Sequence, residues 1–251
     1  MKNNYITKEL VQHFQSLDYF SRAELYKFYK QFEPELNQHT FEWRIHNLKK
    51  KNIIKPIHKG IYTISSRQLF IPDISKKVQK ISHRIKSNFT GITYNLWETR
   101  WLMEFTRHQA AVYMIILEAD KDIIESIFYL LKDKGFKNVF LRPDRDLMEK
   151  YISEESESTL VKPMTSRSPI QKINKIPVAT LEKILVDLFC DTVIFYPYGG
   201  SELVNIYNNA FESYAINFSK LFTYARRRRR EDQIRKFIME HYNGVLKVIA
   251  G

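Results

Sequence analysis

A group of polar side chains between residues 38 and 59 has the chemistry to contact DNA. Residues 38–50 predict a helix in which Phe41, Ile45 and Leu48 recur at i, i+4 and i+7 and so share one buried stripe. The other faces combine cations with hydrogen-bond donors and acceptors, the groups that bind phosphates and read base edges. The candidate DNA-binding residues are His39, Thr40, Trp43, Arg44, Asn47 and Lys50 on this helix, with Lys55, His58 and Lys59 just after it.

Two helices are predicted to hold this group in place. Ser21 followed three residues later by Glu24 predicts a capping box at the start of the first helix. Pro34 disfavours helical geometry in the residue before it, so the first helix should end just ahead of it. Asn37 is a good cap for the start of the second helix. The sequence therefore predicts a helix, a turn and a second helix.

A hairpin follows the second helix. β-branched residues at 53–57 and 61–64 predict two short strands joined at Gly60. Helix, turn, helix and hairpin in this order are typical of a winged helix-turn-helix that binds DNA. Three alternatives stay open: the polar helix face is only solvated, Trp43 packs against the hairpin or a partner domain, or the basic surface is a platform for another protein.

The net charge agrees with a DNA-binding function, and the length of the chain indicates two domains. Forty Lys and Arg against 28 Asp and Glu give a formal net charge of +12, which attracts polyanions such as a phosphate backbone. A chain of 251 residues with 44% hydrophobic residues can build two cores. We predict a winged helix-turn-helix domain at residues 1–66 and a larger α/β domain at residues 67–251.

Cysteine usage and hydropathy indicate a cytoplasmic protein. Cys190 is the only cysteine, so an intramolecular disulfide and a metal site built on paired cysteines are both excluded. The most apolar run, residues 110–117, is far shorter than the roughly 20 residues of a membrane span. We therefore expect a cytoplasmic protein with no membrane partner.

The rest of the chain predicts a mixed α/β unit that ends in helices. Helices and strands alternate after residue 66, which indicates an α/β layer. The predicted helices there are 74–86, 96–105 and 123–132, and the predicted strands are 89–93, 111–117 and 138–141. An acidic loop is expected at 153–158, and further helices at 178–188, 202–211, 214–225 and 230–242. The predicted fold class is α/β (α+β) overall.

Five consecutive arginines are a second candidate site for a polyanion. On a helix, Arg226, Arg227, Arg228, Arg229 and Arg230 would cover every side, so some must face solvent or acidic neighbours. They could grip phosphate or dock an acidic protein. The simpler alternative is a solvated junction between two helices.

The alternative function is a metal-dependent nuclease or nucleotidyltransferase, to which a winged helix would deliver nucleic acid. A nucleotidyltransferase needs an Asp-x-Asp pair after its Gly-Ser turn. The candidate turn here is 199–201, and the only acidic residues between it and residue 222 are two glutamates. The candidate carboxylates are Glu118, Asp120, Asp144 and Asp146, whose spacing fits neither class, and Asp144 also suits a helix N-cap. The histidines lack ligand spacing. We predict no catalytic residue, no metal and no cofactor.

Several short motifs, in order along nearly the whole chain, resemble one known family. They are Phe41-Glu42-Trp43-Arg44, Gly60-Ile61-Tyr62, Trp97-Glu98-Thr99, Ser166-Arg167-Ser168-Pro169, the run from Pro177 to Asp187, and Tyr224-Ala225-Arg226-Arg227. Together they look like the AbiEi type of abortive-infection antitoxin, the antitoxin of type IV toxin-antitoxin systems in phage defence. The five-arginine run and the length between the domains depart from simpler members of that family.

The resemblance implies a function. Members are two-domain transcriptional regulators that repress their own operon through the winged helix. Their C-terminal domain counteracts a nucleotidyltransferase toxin encoded beside them, without a stable complex. For this chain it implies that the nine candidate residues bind operator DNA at an inverted repeat. It also implies that residues 181–187 belong to the core and neutralising surface of the C-terminal domain.

Overall fold

The computed structural model describes residues 2–15, 17, 19–51, 53–64, 69–107 and 112–242. It is a mixed α/β protein with a three-stranded and a six-stranded sheet, which confirms the predicted fold class. Its buried apolar residues form two clusters, one for each sheet. The predicted domain boundary at residue 66 lies outside the described residues. Within them, no helix has both the length and the apolar character needed to cross a bilayer.

The N-terminal unit consists of three helices and a small antiparallel sheet. Its elements are α1 (Lys2–Phe14), β1 (Phe20–Ser21), α2 (Arg22–Phe32), α3 (Gln38–Lys50), β2 (Lys55–His58) and β3 (Ile61–Thr63). The strand order is β1-β3-β2. The two predicted helices and the hairpin are therefore confirmed, whereas α1 and β1 were not predicted.

Both predicted helix caps are present. The Ser21 hydroxyl accepts a hydrogen bond from the Glu24 amide at 3.1 Å, and the Glu24 carboxylate accepts one from the Ser21 amide at 2.7 Å. That backbone hydrogen bond lowers the pKa of Glu24. Asn37 caps α3 by accepting from the Thr40 amide at 2.8 Å. The start of each helix is thus fixed by side chains that satisfy otherwise unpaired amides.

The predicted apolar stripe of α3 is buried. Phe41, Ile45 and Leu48 are each at most 4% exposed and pack in one cluster with residues of α1 and α2, including Leu10 and Phe28. Burying one stripe of α3 sets its opposite face outward. The stripe therefore decides which side chains of α3 can meet a partner.

The larger unit is built on a mixed sheet with helices around it. Its strands are β4 (Tyr94–Glu98), β5 (Tyr113–Ala119), β6 (Val139–Leu141), β7 (Glu157–Pro163), β8 (Ile170–Ile173) and β9 (Ile176–Ala179). Its helices are α4 (Lys76–Asn88), α5 (Ile124–Asp133), the single turn α6 (Arg145–Leu147), α7 (Leu181–Cys190), α8 (Ser201–Ser213), α9 (Phe218–Arg227) and α10 (Glu231–His241). The sheet order is β6-β7-β5-β4-β9-β8, with β4 antiparallel to β5 and β5 parallel to β7.

Some predicted elements of this unit are wrong. The helix predicted at 96–105 is instead β4 followed by a 3₁₀ turn at Thr99–Leu102, because a strand buried on both faces loses the alternation that marks strands. The strand predicted at 89–93 lies just before β4. The predicted loop at 153–158 runs into β7, where Ser158 is fully buried. The predicted strand at 111–117 corresponds to β5, although residue 111 lies outside the described residues.

Candidate nucleic-acid interface

The outward face of α3 carries an exposed row of predicted DNA-binding side chains. His39, Trp43 and Lys50 are all exposed, and Thr40 and Asn47 are half-buried on one flank. Trp43 is 58% exposed, so its ring is not buried against the hairpin or the larger unit of this chain. Tryptophan is enriched at interfaces, because its ring offers a large apolar area and its N–H can donate a hydrogen bond.

Arg44 already has an anionic partner in this structure. Its guanidinium donates to both carboxylate oxygens of Glu33, at 2.6 and 2.8 Å, and lies 5.0 Å from the centre of the Tyr29 ring. The Arg44 side chain is only 15% exposed. Glu33 is the C-cap of α2 and Arg44 lies on α3, so this ion pair links the two helices. Arg44 therefore positions the face of α3 in this structure.

The one carboxylate on α3 is also neutralised from a neighbouring helix. Arg22 at the start of α2 forms an ion pair with Glu42 and donates to Gln38 at 3.2 Å. Its guanidinium lies 5.4 Å from the centre of the Phe41 ring. Because Glu42 is paired, the positive charge of Lys50 and its neighbours is not cancelled along the outward face.

The hairpin meets the larger unit on one side. Ile57 of β2 belongs to the apolar cluster of the larger unit, and β2 contacts α9. Lys55 and His58 are half-buried, and burial lowers the pKa of Lys55. Lys59 is exposed at the tip, where Gly60 takes a φ of +75° to make the turn. Of the three predicted hairpin contacts, Lys59 is the most accessible.

The five arginines do not act as one surface. Arg226 forms a bidentate pair with Glu231 at 2.6 and 2.9 Å. Arg228 turns inward and its side chain is only 16% exposed. Arg227, Arg229 and Arg230 are exposed at the junction between α9 and α10. At most part of the run therefore offers cations to a polyanion.

Arg228 belongs to a buried network of charged side chains that the sequence did not reveal. Glu118 on β5 and Lys162 on β7 are register partners in the sheet, with Oε1 and Nζ 3.4 Å apart. Glu118 also contacts Lys183 of α7 at 2.5 Å and accepts from the Asn95 amide at 3.0 Å. Glu118 and Lys183 are at most 1% exposed.

The network continues along α7 to its carboxyl end. Lys183 pairs with Asp187 one turn away, and Asp187 accepts from the Tyr224 hydroxyl at 2.8 Å and from Arg228 at 2.6 Å. Arg228 then reaches Asp191 at 2.5 Å, and Lys162 pairs with Asp191 as well. Three carboxylates and three cations thus close a ring that joins the sheet, α7 and the end of α9.

Burial and pairing act in opposite directions on these groups. Burial alone would raise the pKa of Glu118, but Lys183 and Lys162 outweigh it, so the pKa lies below its usual value. Burial also opposes ionisation of Asp191, yet Lys162 and Arg228 lower its pKa. Burial raises the pKa of Asp187. The pKa of Lys183 is raised because Asp187 and Glu118 outweigh the burial of its ammonium group.

The structure does not assemble the candidate catalytic carboxylates. Glu118 is held by two lysines inside the network, whereas Asp120 is exposed. Asp144 is the N-cap of α6 and accepts a hydrogen bond from the Leu147 amide at 2.9 Å, which confirms the alternative prediction of an N-cap at this residue. Asp146 is exposed and 3.8 Å from Lys150. Among the described residues, no three acidic, histidine or cysteine side chains are placed to hold a metal ion.

Helix α7 is buried on all sides. Every residue from 181 to 188 is at most 6% exposed, including Glu182, Lys183 and Asp187. Residues 181–187 therefore lie in the core, and they offer no surface for neutralising a partner. A Lys and an Asp four residues apart inside an apolar run were the available signal for the network, since charges there must pair if the helix is buried.

The chain belongs to DUF6577, a family of unknown function, whose model matches residues 40–244. The match begins at the third residue of α3 and runs through the larger unit, so it covers α3 from Thr40 onward, the hairpin and the charged network. A comparison with curated proteins found no match.

Proposed function

We propose that this protein is a DNA-binding transcriptional regulator whose N-terminal unit is a winged helix-turn-helix. The observation that carries the proposal is the exposed outward face of α3, with Trp43 58% exposed between His39 and Lys50. The order of α1, β1, α2, α3, β2 and β3 supports it, because α3 is then the recognition helix and β2–β3 the wing.

In this proposal α3 enters the major groove of double-stranded DNA. Asn47 is suited to bind an adenine edge, since its amide both donates and accepts. Lys50 and Lys59 contact phosphates or guanine, one from the helix and one from the wing. His39 and Thr40 lie in the first turn of α3, the part of a recognition helix that reaches base edges.

We further propose that the regulator is an antitoxin of the AbiEi kind, on the strength of the motif resemblance. It would bind an inverted repeat in its own operator and counteract a nucleotidyltransferase toxin encoded beside it, without a stable complex. Since residues 181–187 are buried, the neutralising surface would lie elsewhere on the larger unit. A nucleotidyltransferase gene next to the gene for this chain would support the antitoxin role, and its absence would count against that role alone.

The DNA-binding role can be tested by mobility-shift titrations with duplex DNA from upstream of the gene. Lys50→Gln should weaken binding and reduce the slope of log affinity against log salt by about 1. Asn47→Ala should cost about 1–3 kcal/mol and relax the base preference at one position of each half-site.

The matched control is Lys27→Gln, which removes one exposed charge from α2. It should bind as the wild type does, since Lys27 is not part of the α3 face. Equal binding by Lys50→Gln, Asn47→Ala and the control, or binding that salt does not weaken, would exclude α3 as the reading element.

A further inference from the structure

A basic groove in the larger unit lies between α4 and the turn that joins α5 to β6. Its volume is about 1090 Å³, and we call it the α4 groove. Its lining includes six cationic side chains, namely Lys76, Lys77, Lys80, Arg84, Lys134 and Lys137. In the structure as described, no carboxylate lines it. The groove is in the larger unit, so it is a different surface from the face of α3.

The pattern of α4 explains one wall of the groove. Val78, Ile81 and Ile85 are fully buried against the sheet, which leaves the other side of the helix outward. Lys76, Lys80 and Arg84 recur every four residues on that side, so successive cations are one turn, or about 6 Å, apart along the axis. These cations therefore form a row of positive charge along the outward side of α4.

The other wall comes from the end of α5. Gly135 takes a φ of +77°, which turns the chain directly after the helix. Lys134 and Lys137 on either side of this turn are exposed and line the groove. Phe136 between them is half-buried, since it packs against the apolar core and also lines the groove.

The cations of the groove are not balanced as those of the buried network are. Lys77 pairs with Glu157 at 2.6 Å. Among the contacts of the described residues, the other five cations have no ion pair. Like charges this close repel one another and weaken the folded state. An anion with regularly spaced charges would relieve the repulsion along the whole row.

We propose that the α4 groove binds the phosphodiester backbone of single-stranded nucleic acid, with Phe136 as a surface on which a base stacks. Proteins that bind single strands combine a positively charged groove with aromatic side chains in this way. A protein reads duplex DNA by inserting a helix or strand into a groove of the DNA. A concave groove in the protein instead admits a flexible single strand. The inference does not depend on the proposed role of α3.

The test uses the full-length protein and two labelled 12-nucleotide probes, oligo(U) and oligo(dT), in filter-binding titrations. The triple variant Lys80→Gln, Arg84→Gln, Lys137→Gln removes three of the groove cations. Each phosphate contact on a single strand contributes about 0.7 to the salt slope, so the slope should fall by about 2. At 0.1 M salt this corresponds to an affinity loss on the order of 100-fold.

The matched control is Lys121→Gln, Arg145→Gln, Lys172→Gln, which removes the same charges from exposed positions outside the groove. It should keep nearly the wild-type affinity. Phe136→Leu retains an apolar side chain against the core. It should weaken binding by about 5-fold or more, because the ring on which a base stacks is removed. Melting temperatures will show whether each variant folds.

Three results would overturn the proposal: no binding of either probe, equal losses in the groove variant and the control, or a groove variant that loses only duplex binding. Preference for oligo(U) or for oligo(dT) would identify RNA or single-stranded DNA as the ligand, and either outcome supports the proposal. The Trp43→Ala variant separates the two functions, because it should lose operator binding and keep the probes.

Discussion

Replacing Lys183 by Met is expected to destabilise the larger unit strongly. The Lys183 ammonium is fully buried and pairs with Glu118 and Asp187, so its loss leaves two buried carboxylates with an excess of negative charge. Removing one partner of a buried pair typically costs about 3–5 kcal/mol. For a unit of this size, each kcal/mol lowers the melting temperature by about 2–4 °C, so a decrease of about 6–20 °C is expected.

The loss is measured by urea and thermal unfolding followed by circular dichroism. The control is Lys236→Met, which removes a lysine that is 73% exposed and should change the free energy of unfolding by less than about 0.5 kcal/mol. Adding Glu118→Gln to Lys183→Met should recover part of the loss, since one buried charge is then removed. A loss below about 1 kcal/mol for Lys183→Met would refute the argument that the network is ionised in the folded protein.

The pKa values of Glu118, Asp191 and Cys190 predict how stability and thiol reactivity depend on pH. The lowered pKa values of Glu118 and Asp191 mean that the stabilisation by these carboxylates is complete above their usual pKa values of 4.5 and 3.8 and is lost as the pH falls through the lower values of the folded protein. Urea unfolding at a series of pH values should therefore show stability falling below about pH 4.5, and falling less steeply in Glu118→Gln. An equally steep fall in that variant would contradict the role given to Glu118. Burial raises the pKa of Cys190 from 9.0 to about 11, so at pH 8 its thiolate fraction should be roughly 100-fold lower than that of a free cysteine. A maleimide should therefore label the folded protein slowly and the protein in urea fast. Fast labelling of the folded protein would show that the pKa of Cys190 is not raised.

The elements that the sequence predicted well are those with local signals. The caps at Ser21 and Asn37 act within three residues, and the stripe of Phe41, Ile45 and Leu48 depends only on helical periodicity. The α3 face could therefore be described from the sequence. The pairing of Arg44 with Glu33 could not be predicted from the sequence, because it depends on how the turn between α2 and α3 folds back.

The elements that were missed depend on contacts between distant residues. Strand β4 was predicted as a helix because both its faces are covered, by layers that come from elsewhere in the chain. The network joins Glu118, Lys162, Lys183 and Arg228, which are far apart in the sequence and meet only through the parallel pairing of β5 with β7 and the packing of α7 on α9. The α4 groove likewise needs the turn after α5 to face α4, although the basic character of residues 74–86 was evident.

The exposure of Trp43 makes the protein its own optical probe. The other two tryptophans, Trp97 and Trp101, are 0% and 7% exposed. Red-shifted emission and quenching by acrylamide should therefore report mainly on Trp43. An operator seated on α3 would shield that indole from the quencher, whereas an oligonucleotide in the α4 groove would leave it accessible, so unlabelled protein can report which surface is occupied.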